Sequence, residues 1–338
     1  MRFENYRTLL PKITIGLVIA LFILIPVFTT NLVTLSTFIG GGIWAIAAMG
    51  FTLILRTGQF SLGQVAFMAL GGYTSAILTV KLGMPFWPSF LLAGIVSGVI
   101  ALLIGLVVLR TGGISFSIIT LALAEILRII ALQWEPVTGG TKGLVTSPPD
   151  PITLGAFEIN FATSAVPYFY FMILLVVITA LVCWRIEHSR MGGIFFSIAA
   201  NPILAEHQGI HLMKYRVIAF TIAGVFTGFA GSYFAHFLSV MSPYMFTFWQ
   251  SIQIMIMSIV GGISSMVGGP IIGAFVLYIL GYYLSRLPIY GIQPLLFGAA
   301  VLLVVLFLPK GTGLIDLWAK LWRKVIKENN SIGEPAAG

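Results

Sequence analysis

Residues 89–109 read SFLLAGIVSGVIALLIGLVVL. The stretch contains no Asp, Glu, Lys or Arg, and it matches the run of about 20 apolar residues that a helix needs to cross the hydrocarbon of a bilayer. Backbone groups cannot stay unpaired in lipid, so spanning segments are helices or closed barrels. A barrel strand would alternate apolar and polar residues; this run does not. Similar runs cover roughly 13–29, 32–55, 62–80, 114–132, 166–184, 217–238, 246–262, 269–287 and 292–308. The whole chain agrees with them. It is 59% hydrophobic and 8% charged, with a mean hydropathy of +1.05, whereas a soluble domain carries about 25% charged residues. The sequence predicts an all-α, polytopic integral membrane helical bundle of about ten transmembrane helices in a cell (inner or plasma) membrane.

The basic residues orient it. With a cytoplasmic N-terminus and every run crossing, Lys81, Lys142 and Arg286 fall outside and Arg128 falls within a span. All the other Lys and Arg fall inside, from Arg2, Arg7 and Lys12 to Lys327. Cytoplasmic loops collect Lys and Arg, so both termini are expected inside. The same rule accounts for the net charge of +8 without a nucleic-acid partner. The first run follows basic residues as a signal peptide would, but it continues into Pro26 and Phe28 with no small-x-small cleavage site, and is read as a retained span. Glycines at Gly40, Gly41, Gly42, Gly50, Gly58 and Gly63 punctuate 38–70, where a broken or re-entrant helix is one expectation.

Two polar segments interrupt the spans. The external one, 133–165, is rich in proline and unsuited to a single helix. The internal one, 185–216, is basic at both edges and helical in the middle. Residues 1–310 form the expected transmembrane domain. Residues 311–338 form an expected cytoplasmic tail, amphipathic around Trp318 and Trp322 and disordered from Asn329.

Little of the sequence suggests enzymatic chemistry. Gly139, Gly140, Thr141, Lys142 and Gly143 lack the spacing of a phosphate-binding loop and read as a turn. No HExxH or GxSxG occurs. His207 and His211 share a helical spacing without a third ligand, so no metal and no cofactor is expected. Cys183, the sole cysteine, reads as a small buried hydrophobe. Glu125 and Arg128 lie three apart inside an apolar run and can pair. They read either as pathway or proton-relay residues or as an ion pair that fixes packing, and the second is favoured because each neutralises the other. Gly224, Gly228 and Gly231, and Gly261, Gly262, Gly268, Gly269 and Gly273, form small faces where helix backbones can approach closely. Asn201 and Pro202 make an N-cap and first helical position, and Gly209 suits a left-handed helix exit. Together they specify a two-turn helix over about 202–208.

Taken in order, several motifs resemble one family, the branched-chain amino acid ABC transporter permeases, in particular the M-type partner of a permease pair. They are Ser61-Leu62-Gly63-Gln64 leading to Gly71-Gly72-Tyr73-Thr74; Leu109-Arg110 and Thr120-Leu121-Ala122 through Glu125 to Arg128; Thr138 to Leu144; Asn201-Pro202, Ala205-Glu206 and Gly209-Ile210 through Gly231; and Gly261-Gly262 through Gly269 to Ala274. The resemblance covers about 35–310. It implies half of a translocation pathway, with a homologous second permease, two ATPase subunits and an extracytoplasmic substrate-binding protein as partners. ATP hydrolysis would lie in the partners, not in this chain. It gives Asn201, Pro202, Ala205, Glu206 and Gly209 an ATPase-coupling role, and places Ser61, Gly63, Gln64, Gly261 and Gly262 among packing or pathway positions. The chain departs from the family at Gly193–Ala200, which lacks the arginines usual before the Asn-Pro step. The implied cargo is leucine, isoleucine or valine. Urea or short amides are the related alternative, and a stand-alone secondary transporter using Glu125 and Arg128 is the alternative of another class.

Overall fold

Asn31 accepts a hydrogen bond from the Val33 N–H at 3.0 Å and so caps the first described helix. The computed structural model describes residues 31–286, apart from 155 and 156, and 292–307, with positions 26 and 29. The expected span at 13–29 and the expected tail from 311 therefore lie outside the described residues. The long helices are α1 (Leu32–Leu55), α2 (Gln64–Leu82), α3 (Phe86–Val108) and α4 (Gly113–Gln133). After a short α5 (Glu135–Thr138) come α6 (Ala165–Glu187), α7 (Arg190–Ala200), α8 (Pro202–His207) and α9 (Leu212–Leu238). The chain then forms α10 (Phe248–Gly261), α11 (Gly268–Leu284) and α12 (Ile292–Phe307). Nine of these coincide with the second to tenth apolar runs. Among the described residues, seven helical stretches are long and apolar enough to cross a membrane, the last beginning at Pro243 and including α10. This is the polytopic helical bundle that the composition requires.

α1 is the central post, with 89% of its most apolar window buried, against 22% for α4. It runs unbroken through Gly40, Gly41, Gly42 and Gly50, and the interruption of 38–70 is the loop 56–63. Those glycines serve packing. A Cβ on Gly40 would strike the Tyr278 ring of α11, and one on Gly42 the Met172 side chain of α6. The tightest crossings are α2 with α9 and α10 with α11. A Cβ on Gly71 or Gly231 would overlap a backbone carbonyl of the facing helix, as would one on Gly261 or Gly273. Close backbone approach is how apolar helices associate when no hydrophobic force separates them from lipid.

Antiparallel alternation leaves two chemically distinct ends. One gathers Arg56, Glu187, Arg110 and Arg216. At the other, Lys81 donates to the Pro136 carbonyl, and the short strands β1 (Leu144–Val145) and β4 (Val240–Met241) pair antiparallel. The polar segment 133–165 forms this second end, with a further hairpin of β2 (Ile152–Leu154) and β3 (Phe157–Ile159). Its attachment is polar. The buried His236 ring on α9 bonds Ser75 Oγ through Nε2 at 2.7 Å and the Ser147 carbonyl through Nδ1 at 2.8 Å. A carbonyl only accepts, so Nδ1 carries the proton and Ser75 donates to Nε2.

Candidate functional site

The arginine-bearing end carries the richest polar chemistry. There α8 is built as its sequence specifies. The Asn201 side chain accepts the Leu204 N–H at 3.0 Å, and Pro202 takes the first helical position. At the exit Gly209 sits at φ 82°, with Gly209 N–H bonded to the Glu206 carbonyl at 2.9 Å and Ile210 N–H to the Ala205 carbonyl at 3.1 Å. This pair of bonds is the Schellman closure. Ala205 is buried and roots the helix, while Ile203 and Leu204 are 69% and 55% exposed. Two large apolar side chains thus stand proud beside the exposed Glu206.

Beside α8 lies a cavity of about 490 Å³ lined by Arg110, Glu206, Gly209, His211 and Arg216. The Gln59 amide oxygen accepts from the Arg216 guanidinium at 3.2–3.3 Å, tying the foot of α9 to the loop after α1. A second tie crosses three elements. Arg56 pairs with Glu187 at 3.1 Å and also donates to the Ser264 carbonyl. The Glu187 carboxylate in turn accepts the Met266 N–H at 3.2 Å. The ends of α1 and α6 and the loop between α10 and α11 are thereby joined through one carboxylate.

Ser61, Gly63 and Gln64 come together at the start of α2, all buried. Leu62 N–H donates to Thr120 Oγ1 at 3.0 Å, and Gln64 Oε1 accepts from Thr227 Oγ1 at 2.8 Å. They join α2 to α4 and α9. Gly261 and Gly262 lie where α10 meets α11, with Gly262 at φ 115°. Glu125 and Arg128 do pair, Arg128 Nε lying 3.0 Å from each carboxylate oxygen. They do so on the least covered helix, however, with the Glu125 side chain 43% exposed and Arg128 20%. Among the described residues no group of three or more His, Cys, Asp or Glu could hold a metal ion.

Glu187 and His236 were not legible as polar anchors. Each ends or interrupts an apolar run, and that interruption is the one signal the sequence offers. Their partners, 131 and 161 positions away, leave no local trace.

The architecture is that of a polytopic helical membrane protein whose two faces differ in chemistry. The chain belongs to the family described as branched-chain amino acid transport system / permease component, whose model matches residues 13–308. It is 29% identical to the high-affinity branched-chain amino acid transport system permease protein LivM of Salmonella typhimurium, over 80% of this chain and 67% of that one. It is 28% identical to LivM of Escherichia coli over the same shares. The ribose import permease protein RbsC of Escherichia coli is 24% identical over 85% of this chain and 90% of its own. No solved structure matches.

Proposed function

We propose that this chain is one of two permease subunits of an ATP-driven importer for branched-chain amino acids. In this reading the arginine-bearing end is cytoplasmic and α8 is the element that docks into a separate ATPase subunit. The geometry of α8 supports it most directly. A helix capped at both ends, rooted by Ala205 and presenting Ile203 and Leu204 to solvent, has an apolar edge with nothing of this chain over it among the described residues. An exposed apolar edge rimmed by a charge suits a protein groove. The adjoining Arg110 and Arg216 supply positive charge where the arginines usual before Asn201 are missing. A homologous second permease and an extracytoplasmic binding protein complete the proposed assembly, and the family description and the LivM relatives support the leucine, isoleucine and valine cargo.

Glu206→Lys reverses the charge at the proposed contact. Gly209→Val forces a β-branched residue to φ 82°, where L side chains are strained by roughly 1–2 kcal/mol. Both variants should insert normally but retain less ATPase on purification and lose ATP-driven leucine uptake. Wild-type retention and transport in both would show that α8 is not the coupling element. Competition by unlabelled valine, but not by urea or ribose, is the expected cargo profile.

A further inference from the structure

The charged pair on α4 sits where charge is hard to place. Glu125 lies eight residues before the helix end at Gln133, about 12 Å inward at 1.5 Å per residue, in a hydrocarbon layer of about 30 Å. Arg128 is close enough to that end to reach the interface, as lone basic side chains in lipid do. It turns inward instead and holds both oxygens of Glu125 through Nε at 3.0 Å. The Glu125 side chain is nevertheless 43% exposed. The same face of α4 carries Ile118, Ala122 and Ile129, all exposed, at helical spacing. An exposed carboxylate at this depth is excluded from lipid and must meet water or protein.

We propose that this face of α4 lines a water-filled stretch of the translocation pathway, and that Glu125 and Arg128 are the station that recognises a zwitterionic amino acid. The inference rests on the branched-chain reading above. With the pathway empty, carboxylate and guanidinium satisfy each other. When substrate arrives, its ammonium takes Glu125 and its carboxylate takes Arg128. A neutral pair exchanges with a neutral zwitterion, so no net charge is moved into the membrane. The flanking isoleucines offer an aliphatic side chain an apolar wall.

The test uses the full transporter in membranes, in a Cys183→Ala background. Ala122→Cys and Ile129→Cys leave the pair intact, and Leu103→Cys, on the exposed face of α3, serves as the lipid-facing control. A membrane-impermeant cationic methanethiosulfonate should label the two α4 cysteines at least about tenfold faster than the control, since a thiol needs water to ionise and react. Leucine supplied with its binding protein should slow that labelling. Labelling no faster than the control means a dry seam or lipid contact and overturns the pathway assignment. Separately, Glu125→Gln with Arg128→Gln removes both charges and keeps a polar side chain at each position. It should raise the half-saturating leucine concentration about tenfold or more, as loss of charged hydrogen bonds does, and the labelling on the intact pair reads the aqueous face independently of this variant. Unchanged half-saturation overturns the recognition role. Rapid labelling that leucine does not slow, in a wild-type complex that fails to import leucine, overturns the amino-acid assignment while the aqueous face stands.

Discussion

Glu187 is the residue on which the arginine-bearing end converges, because its carboxylate serves both Arg56 and the Met266 N–H. Glu187→Ala leaves the guanidinium and the amide without that acceptor. Hydrogen bonds to charged groups contribute about 1.5–3 kcal/mol each, and with the pair about one-fifth exposed the lower part of that range is expected. A lowered thermal midpoint in detergent, partly restored by Glu187→Gln, is the expected outcome; an unchanged midpoint would remove the clamp from the account. At this scale the sequence was legible wherever partners are local. Asn201, Pro202 and Gly209 announce the cap, start and exit of α8 within nine positions, and the structure forms each of them. Glu125 and Arg128 announce their pairing at three-residue spacing. Their exposure was not legible, because burial depends on which helices cover α4.

Helices as elements were legible because lipid permits few alternatives. Apolar length alone set α1, α2, α3, α4, α6 and α9 within a few residues of their observed ends. The glycine-punctuated start was harder. Gly40, Gly41 and Gly42 could mark a break or a packing face, and only the facing Tyr278, Phe275 and Met172 decide it. The α2–α9 crossing gives the sharpest test of close packing. Gly231→Val would drive a side chain into the Met68 carbonyl, backbone that cannot rotate away. Overpacking of this kind costs about 1–3 kcal/mol or more, so a reduced yield of folded protein and a lower thermal midpoint are expected. Gly298→Val, with open space around it on α12, should behave like wild type. Equal behaviour of the two variants would contradict the crossing.

Across the whole molecule, the basic side chains fall at two ends. Arg56, Arg110 and Arg216 gather at one and Lys81 and Lys142 lie at the other. With the first placed in the cytoplasm, Lys142→Cys in a Cys183→Ala background should react with an impermeant reagent from outside intact cells, and Ser189→Cys should not. The reverse pattern would invert the topology. In the proposed function, the chain is powered by ATP that a partner subunit hydrolyses. Leucine uptake into vesicles containing the purified complex, with ATP maintained inside and the proton gradient collapsed by an uncoupler, measures this most directly. The account predicts uptake that persists under the uncoupler and stops when ATP is withdrawn. Uptake by this chain alone that stops with the uncoupler and ignores ATP would contradict it.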